Sequence, residues 1–125
     1  MRVLVVDENK DTLNEMYVAL SRKGFDVATQ ENPGEAIKLY KWQNFDVVIS
    51  EIEMISMNGI SLLKELQKIN KDVPVIFITR HGYFETAKEA LNNRAYAYLE
   101  KPFDLDELLN YLKEIEIKIT DNSLV

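Results

Sequence analysis

The stretch VVISEIEMISMNG, residues 47–59, begins as a strand and ends as a loop that opens a helix. Val47, Val48 and Ile49 run without polar alternation, the mark of a strand covered on both faces. Ser50 and Glu51 then put a hydroxyl and a carboxylate at that strand's carboxyl end. Asn58 caps the segment that follows, GISLLKELQKIN, which turns Ile60, Leu63 and Leu66 inward. A strand buried on both faces needs helices above and below it, so the fold is α/β.

Working outward, the same alternation repeats. RVLVV (2–6) is a continuous apolar strand. In DTLNEMYVALSRKG (11–24) Leu13, Met16, Tyr17 and Leu20 form one helical stripe, and Gly24 after Arg22-Lys23 stops the helix. FDVAT (25–29) is a more polar strand. Asn32 and Pro33 start a second helix with Ile37 and Tyr40 on one side and Trp42 near its end, read as a packing lid. VPVIFIT (73–79) and AYAYL (95–99) are the fourth and fifth strands, separated by YFETAKEALNN, a helix with a thin apolar side. FDLDELLNYLKEIEIKI (103–119) is the clearest helix, with Asp104 and Glu107 as a capping box and Phe103 stapling onto Leu108. Five β/α units predict a parallel sheet with helices on both faces. The apolar first, third and fourth strands belong at its centre and the polar second strand at an edge. That favours the flavodoxin-like order 2-1-3-4-5. The expected domain covers residues 1–119, with 120–125 as a frayed tail or the start of a linker.

The 125 residues are 46% hydrophobic and 29% charged, enough for one real core. There is no cysteine, which excludes disulfides and thiolate chemistry. A net charge of -6 argues against this domain wrapping a nucleic-acid backbone. No apolar run is long enough to span a membrane, and the short N-terminal run is not a signal peptide, so a cytoplasmic setting is expected.

In sheets of this kind the site lies beyond the carboxyl ends of the strands. Those ends carry Asp7-Glu8, Ser50-Glu51, Thr79-Arg80-His81 and Glu100-Lys101-Pro102. Clustered carboxylates are hard ligands for Mg²⁺, while a lysine and a threonine hydroxyl suit phosphoryl oxygens. The acidic loop DENKD has no glycine and makes a poor cradle for a nucleotide or flavin phosphate. GxxxxGK[ST], GxSxG and HExxH are all absent.

Taken together, VLVVDE, DVVISEIEM, MNG, VPVIFIT and YLEKPF resemble the receiver domain of bacterial two-component response regulators over essentially the whole chain. In that family a histidine kinase donates phosphate to an Asp at the end of the third strand. The resemblance places Glu51 at the phosphoacceptor position. It gives Thr79 and Lys101 the phosphoryl contacts, and Tyr98 the aromatic position that switches rotamer. It gives Asp7, Glu8, Glu51 and the Glu53 carbonyl to Mg²⁺. The departures cluster around the same pocket. Glu51 and Glu8 stand where Asp is usual, and Ile55-Ser56 where Pro-Gly is usual. Arg80 occupies a position usually kept small, from which it could pair with the pocket.

One extra methylene moves the Glu51 carboxylate about 1.5 Å toward the space of an incoming phosphoryl group, and misplacement of that order costs about 10²-fold in rate. Glu51 is therefore expected to be a poor acceptor that partly mimics phosphate through Lys101, Thr79 or Arg80. Mg²⁺ binding is expected to be weak, or replaced by an internal ion pair. The reading is an atypical receiver, not an enzyme, acting as a protein-interaction switch with a histidine kinase or another signalling protein. The face of the fourth helix, fifth strand and fifth helix is expected to mediate homodimer or partner binding without phosphorylation, with Tyr96 and Tyr98 on one face of that strand. A phosphorylation-dependent receiver is the alternative reading, and a small-molecule enzyme of flavodoxin-like fold a third. His81 reads as a surface loop residue, and Tyr83-Phe84 as a partner surface or a helix-end contact.

Overall fold

A computed structural model describes residues 1–80, 82 and 84–123, the last two in backbone only. His81, Tyr83 and the end of the tail lie outside the described residues. The elements alternate as expected: β1 (Arg2–Val6), α1 (Lys10–Arg22), β2 (Asp26–Gln30), α2 (Pro33–Trp42), β3 (Val47–Glu51), α3 (Gly59–Ile69), β4 (Val75–Arg80), α4 (Phe84–Asn92), β5 (Ala97–Lys101) and α5 (Leu105–Ser123). The strands form one parallel sheet in the order β2-β1-β3-β4-β5. α5 runs to Ser123, past the point where the sequence reading ends it.

Side-chain alternation along the strands divides the core in two. Leu4, Val48 and Phe77 pack against Leu62, Leu63 and Leu66 of α3 and against Ala87 and Ala90 of α4. Val3, Ile49 and Ile76 point the other way, onto Leu13, Met16 and Leu20 of α1 and Leu108, Leu112 and Ile115 of α5. β3 is buried at every position, whereas β2, at the edge, reaches no more than half-burial. Two packing expectations fail. Tyr17 is 49% exposed although its spacing fits the α1 stripe, because Leu13, Met16 and Leu20 already fill the side facing the sheet. Trp42, the last residue of α2, is 84% exposed and so is not a packing lid.

Capping residues set the helix starts. Asn9, Asn32 and Asn58 each accept backbone N–H bonds from the first turn of α1, α2 and α3. Asp104 accepts from Asp106 N at 3.0 Å, without a return bond from the Glu107 carboxylate. α1 and α4 end in the same way. The N–H groups of Gly24 and Phe25 reach back to Ser21 and Leu20, and those of Arg94 and Ala95 to Leu91 and Ala90. Gly24 takes φ +91 there and Arg94 takes φ +70, the left-handed position that closes such an end.

Candidate functional site

The carboxyl ends of β1, β3 and β5 deliver three charged side chains to one point. Lys101 Nζ lies 2.8 Å from Glu51 Oε2 and 3.7 Å from Asp7 Oδ2. Asp7 and Glu51 are 6% and 7% exposed, while Lys101 is half-buried. Burying two carboxylates side by side is costly unless they are paired and hydrogen-bonded. Lys101 supplies one positive charge, and backbone N–H groups supply the rest. Asn9 N donates to Asp7 Oδ1 at 2.8 Å, and Glu53 N to Glu51 Oε1 at 3.4 Å. The arrangement is an internal ion pair where the carboxyl ends of β1, β3 and β5 meet.

Thr79 is buried at the end of β4, but its hydroxyl donates to the Arg80 carbonyl at 3.4 Å and not to Glu51. Arg80 is exposed, in register with Lys101. Ser50, beside Glu51 and equally buried, donates to the Glu51 carbonyl at 2.9 Å and satisfies the strand end.

Glu8 behaves differently from the other acids. Its carboxylate crosses to the β3–α3 loop, where it accepts from the Ile55 N–H, from Ser56 N at 3.2 Å and from Ser56 Oγ at 3.0 Å. The bond from the Ile55 N–H is the main cause that lowers its pKa below the ordinary glutamate value. Receiver domains generally bind Mg²⁺ at this site, but these residues do not fit the ion as arranged. Glu8 is turned to the loop and Glu51 to the ammonium. Among the described residues, no three acidic side chains converge on a point where a metal could sit. The expected set of Asp7, Glu8, Glu51 and the Glu53 carbonyl is thus not assembled. The cause is reach, since the longer Glu8 side chain meets donors that a shorter one would not.

The floor under this loop is Gly59. A Cβ there would lie 2.6 Å from a Phe77 ring carbon and 2.9 Å from both the Glu51 carbonyl oxygen and Ile52 Cα. Its N–H donates to the Ile52 carbonyl at 2.7 Å. Only a residue without a side chain lets α3 start this close to β3.

The aromatic pair near β5 separates instead of sharing a face. Tyr98 is half-buried against the core on the α3–α4 side. Tyr96 packs on the α5 side, edge-on to Tyr111, and donates to Glu114 Oε2 at 2.8 Å. β5 begins only at Ala97, so strand alternation does not link the two. Burial first, and the Glu114 carboxylate second, push the Tyr96 phenol up to about 12. Sequence reasoning missed Gly59 as a steric requirement and missed Ile55 and Ser56 as donors. The signal for the latter was present, since the unusual residues fall on two loops that this topology sets face to face.

Comparison with known proteins agrees with this fold. Residues 3–113 match the response regulator receiver domain family. The regulatory protein AtoC of Escherichia coli is 38% identical over 107 residues, which is 86% of this chain and 23% of that protein. The chain therefore spans about a quarter of the length of such relatives. A response regulator receiver domain protein from Clostridium thermocellum superposes with a TM-score of 0.90 at 26% identity, covering 95% of this chain and 96% of the other. The beryllofluoride-activated NtrC4 receiver domain, a dimer in solution, does so with a TM-score of 0.84 at 32% identity, covering 91% and 94%.

Proposed function

The chain belongs to the response regulator receiver domain family, and from that premise we propose that it is an atypical receiver in which Glu51 stands in part for a phosphorylated acceptor. The observation that carries the reading is the 2.8 Å contact between Lys101 Nζ and Glu51 Oε2. A cation suited to a phosphoryl oxygen is held by the protein's own carboxylate. Glu51 brings one negative charge, where an acyl phosphate would bring nearly two. The domain then works as a protein-interaction switch in a cytoplasmic two-component pathway, not as an enzyme. Its partners are a histidine kinase or another signalling protein, or a second copy through the face of α4, β5 and α5. With a net charge of -6 it does not take nucleic acid itself.

The experiment is exposure to acetyl phosphate, with and without Mg²⁺, followed by intact mass. The wild-type chain is expected to gain no phosphoryl group, and Glu51→Asp to gain one. A phosphoryl adduct mapped to Glu51 itself overturns the reading.

One observation favours the alternative, a receiver that still depends on phosphate. The Thr79 hydroxyl turns to Arg80 and leaves Glu51 alone, so the mimicry engages the lysine without the hydroxyl. Sedimentation of Glu51→Gln separates the two readings. Weaker self-association than wild type supports mimicry, and unchanged association supports phosphate dependence.

A further inference from the structure

Glu8 has left the acid cluster, and what it has joined is chemically matched to it. Its two carboxylate oxygens meet two backbone N–H groups and one hydroxyl, from Ile55 and Ser56, across the gap between the loop after β1 and the loop after β3. Bonds from N–H and O–H donors to an ionised carboxylate are about twice as strong as neutral ones. Each partner is also needed by its type. A proline at 55 would have no N–H to give, and a glycine at 56 would have no hydroxyl. An Asp at 8 would fall short by one methylene, about 1.5 Å. The Ile55 side chain is 99% exposed, so packing does not explain the choice of residue there.

We infer that Glu8 is a positioning residue that latches the β3–α3 loop to the β1–α1 loop without a metal ion, in place of the divalent cation that would otherwise draw the two loops together. The latch and an ion compete for the same carboxylate. For Glu8 to reach a cation beside Asp7 it must first release all three donors. Mg²⁺ adds to this cost, because it demands near-octahedral geometry and gives up water reluctantly. The loop is therefore ordered in the metal-free protein, and added Mg²⁺ has little to organise. The inference rests on Glu8 and its donors, and it stands whatever Glu51 does with phosphate.

The test is NMR on the metal-free form of three proteins, wild type, Glu8→Asp and Ile55→Pro, each then titrated with Mg²⁺. In wild type the Ile55 and Ser56 amides should resonate downfield and resist hydrogen exchange without any cation. Glu8→Asp should return both amides toward solvent-like shifts and speed their exchange about tenfold or more, the loss of about 1.4 kcal/mol. It should also strengthen Mg²⁺ binding about tenfold, read from the Asp7 and Glu53 amides. Ile55→Pro removes one donor from an exposed position, so it tests the latch even if the change at Glu8 disturbs folding. It should free the Ser56 amide in part and tighten Mg²⁺ in the same direction. The inference is overturned if the Ile55 and Ser56 amides do not respond to Glu8→Asp. It is equally overturned if wild type binds Mg²⁺ as tightly as Glu8→Asp or Ile55→Pro.

Discussion

Lys101 sits between two carboxylates at unequal distances, 2.8 Å from Glu51 and 3.7 Å from Asp7. Removing its charge leaves both acids buried with backbone donors alone. Lys101→Met is therefore expected to destabilise the fold by about 2 kcal/mol, less than for a fully enclosed pair because the ammonium is half in water. In a Glu51→Gln background the cost should shrink by about 1 kcal/mol, measured as a double-mutant cycle in urea. Equal costs in the two backgrounds would mean that the contact is not energetically coupled. Gly59→Ala is expected to cost about 1–3 kcal/mol, since neither the β3 backbone nor the enclosed Phe77 can yield the space. The pairing of Glu51 with Lys101 was legible in the sequence, because strand-end positions converge in this topology. The crowding at Gly59 was not, since it depends on atoms brought close only by the finished packing of α3 on β3.

Helix ends show how an element can be read correctly and still hold a surprise. Gly24 and Arg94 close α1 and α4 with the same pair of backbone bonds and the same left-handed residue. Glycine adopts that conformation freely, whereas a side chain costs about 1–2 kcal/mol. Arg94→Gly should stabilise the protein by about 0.5–1 kcal/mol after the added freedom of the unfolded chain is counted. Gly24→Ala should destabilise it by about 1 kcal/mol. Denaturant midpoints followed by circular dichroism check both. The segment YFETAKEALNN ends at Asn93, but the left-handed residue that closes α4 is Arg94, one position later. β5 began two residues later than its pattern suggested, which is why Tyr96 leaves the strand and joins α5. Its phenol rises from 10.0 to about 12 on folding. A raised pKa of this kind means that the stabilisation is fully present below pH 10 and is lost as pH climbs toward 12. Wild type should thus lose more stability than Tyr96→Phe between pH 9 and 11, and equal losses would mean that the Tyr96 phenol is not raised by its surroundings.

Across the whole molecule the sheet is secured unevenly. α3 buries Leu62, Leu63 and Leu66, whereas α4 offers the core only Ala87 and Ala90, with Phe84 59% exposed. Local opening follows buried apolar area, so α4 amides should exchange by local fluctuation, independent of low denaturant, while α3 amides wait for global unfolding. Equal protection of the two helices would contradict this. The strand order and the division of the core were legible because burial on both faces leaves an unbroken apolar run. The placement of Trp42 was not, since an aromatic at a helix end carries no periodic signal. Its exposure has an optical consequence. The only tryptophan of the chain stands in water whether the protein is folded or not, so its emission should stay red and nearly constant through unfolding. A blue shift on mixing with another protein would then report one event, the covering of the surface at the end of α2, against a background that the fold itself leaves unchanged.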